Sequence, residues 1–414
     1  MKRTAAMFFA LILAMMLTSC QVEYADEMTT PALEDTTEAE TQDSILRVRY
    51  SDDVYSEYLE YCKEEYERTH QGVEVLLELV PSSDYIKNIQ DDSVSGENVP
   101  DVYMAGNGDL SVLYLAGLAM KNSSDEFTEQ NYCGAALDAC SCKDSLVAYP
   151  LSFRTSVLIY NSDYLSENDV KTFEGIRTYS SNAEFNSGES GAVEKIFGCD
   201  LNKIFGNYGF IGSGIDLGGR NGDDKNLLSI CNDRTLQAAQ EYLSLVDYFH
   251  LNMDTSYDDC LQKFSTGAML ATIIYTDDIA GAKDWQVNYK LAPVPDYNED
   301  VKVTPLSVTK AMVVNPYSLK QKEAVEFAEF TTAGNADKLY EYTQVMSAKK
   351  GVEYSDPEFD NVYKAYERSV PQNKLLYGEQ AYPRIEIALH NIVAGSDMCE
   401  ELKSVDDYMK TQME

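Results

Sequence analysis

Apolar and polar positions alternate with two periods along this chain. From Ile45 to Tyr50 the alternation has period two and predicts a first strand, and Ser51-Asp52-Asp53 then offers helix caps. Tyr55, Leu59, Cys62 and Tyr66 recur on one face of a helix that Gly72 ends. Val73 to Val80 predicts a second strand, halted by Pro81, and Val102 to Ala105 a third, followed by a helix from Asp109 to Ala119. Strands alternating with helices predict an α/β class with a doubly wound, mainly parallel sheet flanked by helices. Ligands of such sheets sit beyond the carboxyl ends of the strands. That makes Asn107 and Asp109, in the loop after the third strand, candidate hydrogen-bonding groups, although Asp109 could equally cap its helix.

The centre of the pattern is YPLSFRTSVLIYN, Tyr149 to Asn161. Val157 to Tyr160 is a continuous apolar run and predicts a buried strand. Pro150 makes the lead-in through Ser152, Phe153 and Arg154 extended. Thr172 to Lys225 is rich in Gly, Asn and Ser and carries little pattern; its Gly212-Ser213-Gly214 completes neither a dinucleotide fingerprint nor a phosphate loop. Further on, Thr235 to Phe249 is amphipathic through Leu236, Leu243 and Val246. Met269 to Tyr275 and Val308 to Val314 predict strands, and Gln321 to Thr331 a helix.

The N-terminus changes the picture. Lys2 and Arg3 precede an apolar stretch from Ala5 to Leu17, too short to span a bilayer comfortably. It ends in Leu17-Thr18-Ser19-Cys20, which resembles a bacterial lipobox and implies a signal peptide over 1–19 with lipid on Cys20. Residues 20–44 are Thr-, Glu- and Asp-rich with no apolar face, and predict a flexible acidic tether. The remaining residues exceed what one core usually holds, so two lobes are expected. The 33 Lys and Arg against 69 Asp and Glu give a net charge of −36. That balance excludes a nucleic-acid partner, which needs a basic footprint, and a flat seat on anionic lipid. Eight cysteines follow Cys20. Cys62 falls on an apolar helical stripe, so most are expected to be buried and unpaired, and Cys133, Cys140 and Cys142 lack a nearby His or a CxxC for metal.

No HExxH or GxSxG elbow occurs, and His70, His250 and His390 read as helix-end or packed side chains. No cofactor is expected. What points to function is resemblance. YPLSFRTSVLIYN resembles the first crossing between lobes in extracellular solute-binding proteins of the maltose-binding type. Pro100 to Ala119, PDVYMAGNGDLSVLYLAGLA, is similar to that family's first-lobe segment, and the tail from Ile392, IVAGSDMCEELKSVDDYMK, to its closing helix. Phe264 with Met269 to Tyr275 resembles a further segment, but Ile274-Tyr275-Thr276 stands where the family commonly has Gly-Pro-Trp.

The resemblance implies a two-lobe periplasmic-binding-protein-like fold (type II), with 45–153 and 305–336 forming lobe 1 and 154–304 and 337–414 lobe 2. It implies a monomer, exported and anchored by lipid to the outer face of the cell membrane, that captures a small solute and delivers it to an ABC transporter permease. A sugar or oligosaccharide is the leading ligand. Polyamine or peptide ligands, or a surface-anchored glycan hydrolase, are the alternatives. Asn107, Asp109, Phe153, Arg154, Tyr275 and Trp285 are expected to face one cleft, with Phe153 and Tyr275 stacking on the ligand. Arg154 has a rival role as the ion-pair partner that fixes the crossing, and Trp285 a rival place in the core.

Overall fold

The computed structural model describes residues 44–182 and 193–413. The signal peptide over 1–19, Cys20 and the tether to residue 43 lie outside the described residues. Ser44, expected to end the tether, opens the first strand.

Thirteen strands occur among the described residues: β1 Ser44–Tyr50, β2 Val73–Leu79, β3 Val102–Gly106, β4 Ser141–Cys142, β5 Ser145–Leu146, β6 Tyr149–Asn161, β7 Lys195–Gly198, β8 Asp216–Leu217, β9 Leu228–Ser229, β10 Met269–Tyr275, β11 Tyr289–Pro293, β12 Leu306–Val314 and β13 Val370–Pro371. The main sheet runs β2-β1-β3-β12-β6-β10-β7, with β11 also on β6 and β13 on β12. Its outer pairs are parallel, as the strand–helix alternation predicts: β1 with β2 and β3, and β10 with β7. Its centre is antiparallel, because β6 and β12 run against each other and β6 also against β10 and β11. The result is a mixed, helix-flanked α/β sheet.

Strand β6 organises the whole. Its first half, Tyr149 to Thr155, pairs with β12. Its second half, Ser156 to Asn161, lies between β10 and β11. Residues in one extended strand thus belong to two different stretches of sheet. The ladder to β12 slips at Lys310/Ala311, where Pro150 and Ser152 are paired and Leu151 is not. Pro150 cannot donate to a ladder, and a bulge is where a sheet tolerates it. The Leu151 carbonyl accepts instead from Ala348 N at 2.9 Å.

The apolar run of β6 is buried on both faces, which is why it shows no alternation. Val157 and Ile159 enter a core with Leu46, Val48, Tyr58 and Met312. Leu158 and Tyr160 enter a second core with Phe173, Phe197, Tyr242 and Leu389. A smaller third core forms around Tyr103, Leu113 and Val313. The segment after residue 337, expected with lobe 2, packs as far as Tyr366 into the core of β1. Tyr342 stacks on Tyr61 at 5.0 Å, and Leu339, Val362 and Tyr366 are buried there.

Candidate functional site: a groove beside the crossing strand

Three strand ends converge beside β6: β1 delivers Asp52, β3 delivers Asn107 to Asp109, and β10 delivers Thr276 to Asp278. Buried hydroxyls hold the β1 and β10 ends, and β12, to β6. Tyr55 and Ser152 hydroxyls are 2.6 Å apart, Thr155 N donates to Thr276 Oγ1 at 3.2 Å, and Thr155 Oγ1 donates to Leu306 O at 3.0 Å. Against this fixed backbone Arg154 is the one partly exposed residue of β6.

The Arg154 Nε lies 3.0 Å from Asp277 Oδ2, and its guanidinium sits 4.8 Å over the Tyr275 ring and 4.9 Å over Phe205. Tyr275 in turn stacks on Tyr257 at 4.4 Å. The Tyr257 hydroxyl accepts from Tyr275 N at 2.9 Å and donates to Asp278 Oδ2 at 2.7 Å. Burial pushes the Tyr275 phenol up to about 12, against the pull of Arg154. Gly206 leaves this ring room: a Cβ on it would come 3.0 Å from the Tyr275 hydroxyl. Its neighbour Asn207 is buried, with neither side-chain polar atom partnered within the protein, as is Ser156 Oγ. Buried polar atoms of this kind call for a water or a ligand group.

Charge of both signs lines the groove. Asp277 is raised above the usual carboxylate value by burial, opposed by Arg154 and Lys310 and reinforced by Asp278 and Asp52. Asp109 is raised by burial, with Lys310 opposing and Glu379 adding to the shift. Both side chains nevertheless reach solvent. Groups open to water yet desolvated by surrounding protein sit in the wall of a concavity. The positive charge of Lys310 acts on both carboxyls.

The six residues singled out by sequence separate into two sets. Arg154, Tyr275 and Asp109 stand around this groove, Arg154 as the ion-pair partner of Asp277. Asn107 is fully buried, and its amide is already used: Oδ1 accepts from Thr309 N at 2.9 Å and Nδ2 donates to Gln372 O at 2.7 Å. Phe153 points into the core, stacked on Tyr366 with centroids 3.9 Å apart and 3° between planes. Trp285 is half-buried against Phe264, 5.8 Å between centroids. Strand alternation explains Phe153: it and Arg154 are neighbours on a strand and face opposite sides. Sequence reasoning passed over Asp277 and Lys310. The first lies two residues beyond a strand's carboxyl end, as Asp109 lies three beyond another, and the second is the only charge within the apolar β12.

Tyr377 sits two residues before Glu379 at φ 64°, about half exposed. A positive φ is costly for an aromatic residue and persists only where surroundings impose it. Asn373 imposes it here, its Oδ1 accepting from Leu375 N at 3.2 Å and its Nδ2 donating to Gly378 O at 3.2 Å.

The profile of the bacterial extracellular solute-binding proteins matches residues 62–366. The chain belongs to that family. The maltodextrin-binding protein MdxE of Bacillus subtilis is 24% identical over 335 residues, covering 77% of this chain and 78% of that protein. An extracellular solute-binding protein from Staphylococcus aureus, solved in complex with maltose, superposes with a TM-score of 0.77 at 18% identity, covering 90% of this chain and 98% of that one. The maltose-binding protein MalE of Listeria monocytogenes, also with maltose, gives 0.74 at 18% identity, covering 89% and 98%. This solute-binding protein therefore has the two-lobe fold of the maltose-binding type. Among the described residues no group of three or more His, Cys, Asp or Glu is placed to hold a metal ion.

Proposed function

We propose that this solute-binding protein captures a sugar or oligosaccharide of the maltodextrin class in the groove beside β6. The observation that carries the reading is Arg154, ion-paired to Asp277 and stacked over Tyr275 where β6 changes partners. Asp277, Asp109 and Lys310 supply fixed acceptors and a donor for hydroxyls. Tyr377 supplies the exposed aromatic face that a pyranose ring needs, since both faces of Tyr275 are covered by Arg154 and Tyr257. The relatives with maltodextrin and maltose support the ligand class.

The protein is exported, held to the outer face of the membrane by lipid on Cys20, and hands its ligand to an ABC transporter permease. Cys20→Ala should release it from the membrane fraction; full retention would exclude that anchor. The binding role is tested by titrating short maltodextrins and following thermal unfolding. Ligand at about a hundred times Kd should add about 2.7 kcal/mol of stability. Tyr377→Ala and Asp277→Asn should each reduce that gain. A rise with spermidine or a cationic peptide but not with any sugar would move the ligand class to cations, which the groove carboxylates could also accept. New reducing ends appearing in the mixture would replace binding by hydrolysis.

A further inference from the structure

Six of the eight cysteines in the described residues are buried; Cys231 is half-buried and Cys399 exposed. These last two stand 168 positions apart and meet in space. Cys231 lies in the turn between β9 and the helix Asp233–Tyr248, and Cys399 in the first turn of the C-terminal helix Met398–Met413. The Cys231 Sγ is 3.9 Å from the Cys399 carbonyl oxygen, and the two thiols are within hydrogen-bonding reach of each other.

The backbone on each side of the contact is pinned. Asp406, further along the C-terminal helix and 5% exposed, accepts from Ile230 N at 2.7 Å and from Cys231 N at 3.4 Å through one carboxylate oxygen. Its other oxygen takes the Lys410 ammonium at 2.5 Å. Asn232 caps the following helix, its Oδ1 accepting from Arg234 N at 3.0 Å and Thr235 N at 3.1 Å. The thiols are thus brought together by two fixed elements rather than by loose ends. Lys403, one turn on from Cys399, adds a positive charge facing Cys231. Two other thiol pairs are close enough to influence each other, Cys140 with Cys142 and Cys199 with Cys260, but all four are buried away from any soluble oxidant.

We propose that Cys231 and Cys399 are a disulfide-forming pair, and that their oxidation staples the C-terminal helix to the turn ahead of the Asp233–Tyr248 helix. The chemistry is thiol–disulfide exchange with an external disulfide, protein-borne or of low molecular weight, which an exported chain meets. The accessible Cys399 thiolate attacks that disulfide, forms a mixed disulfide and expels one thiolate. The Cys231 thiolate then attacks the Cys399 sulfur, the intramolecular S–S bond forms, and the second thiolate leaves. Two cysteine thiols are oxidised, one external disulfide is reduced to two thiols, and the two protons pass to the leaving thiolates.

The test uses the full chain, equilibrated in oxidised glutathione or in dithiothreitol, alkylated under native conditions, and mapped by non-reducing peptide mass spectrometry. Oxidation should yield one linked peptide pair joining Cys231 to Cys399, with alkylation lost at those two positions and restored by dithiothreitol. The oxidised protein should melt at a higher temperature than the reduced one. In Cys231→Ser the linked pair should vanish and Cys399 should carry glutathione instead. Both thiols still alkylated after oxidation, or Cys399 held only as its glutathione adduct in the unsubstituted chain, would overturn the proposal.

Discussion

At the scale of single residues, adjacent positions on β6 do opposite work. Phe153 belongs to the core, and Phe153→Ala should cost about 3–5 kcal/mol by opening a cavity against Tyr366. Denaturant unfolding would check this, and the surviving folded protein should still bind. Arg154 belongs to the groove. Its pair with Asp277 is 43% and 37% exposed, so Arg154→Met should change stability by about 1 kcal/mol or less. Affinity should fall by about ten- to a hundredfold, the usual worth of a charged hydrogen bond, as calorimetry would show. The groove carboxylates give a pH signature of defined sign. Burial raises Asp109 and Asp277 above 3.8, so both bind protons more tightly in the fold than in the unfolded chain. Their contribution to stability is present below the unfolded pKa and is lost as pH rises through the raised values. Ligand hydroxyls need the ionised form, so affinity should decline as pH drops from about 7 to about 4, while this term moves stability the other way. Asp109→Asn should flatten that decline; an affinity independent of pH over the range would remove both carboxylates from the account.

Among the elements, β6 is the one whose loss would undo everything, because its halves pair with different strands and its two faces fill different cores. Its amides should exchange only by global unfolding, and Ile159→Ala should cost about 2–5 kcal/mol. Amides of β6 exchanging as fast as loop amides would contradict its central place. This strand was legible from residues alone: Pro150 marked its extended entry and Val157 to Tyr160 its burial. So were β10, observed at the expected Met269–Tyr275, and the helix carrying Leu59, Cys62 and Tyr66. The helix expected from Asp109 to Ala119 is only Leu110–Leu115, since Gly117 takes φ 70° and turns the chain. Residues 172–225 stayed illegible because their helices, Phe173–Asn182 and Ile204–Gly212, are short and the second is apolar nearly all round. The groove was half legible. Strand ends pointed to Asp109 and the lone charge of β12 marked Lys310, while Glu379, distant in sequence, carries no local mark. Alternation separates Phe153 from Arg154, but that Tyr366 covers the Phe153 side follows from tertiary packing.

For the whole molecule, family membership and the superposed neighbours make this a two-lobe binding protein. Ligand that touches both sides of the groove favours the closed arrangement by the difference in affinity between states. Small-angle scattering should therefore show compaction on saturation, and an unchanged radius for a proven binder would count against closure. The central claim is that the Arg154–Asp277 groove takes a maltodextrin. Calorimetric titration of the purified protein with short maltodextrins, run side by side with Asp277→Asn, tests it most directly. The account predicts saturable binding at one site per chain, weakened at least tenfold by the substitution. Equal affinity in both proteins, or no heat with any maltodextrin from a folded sample, would contradict it.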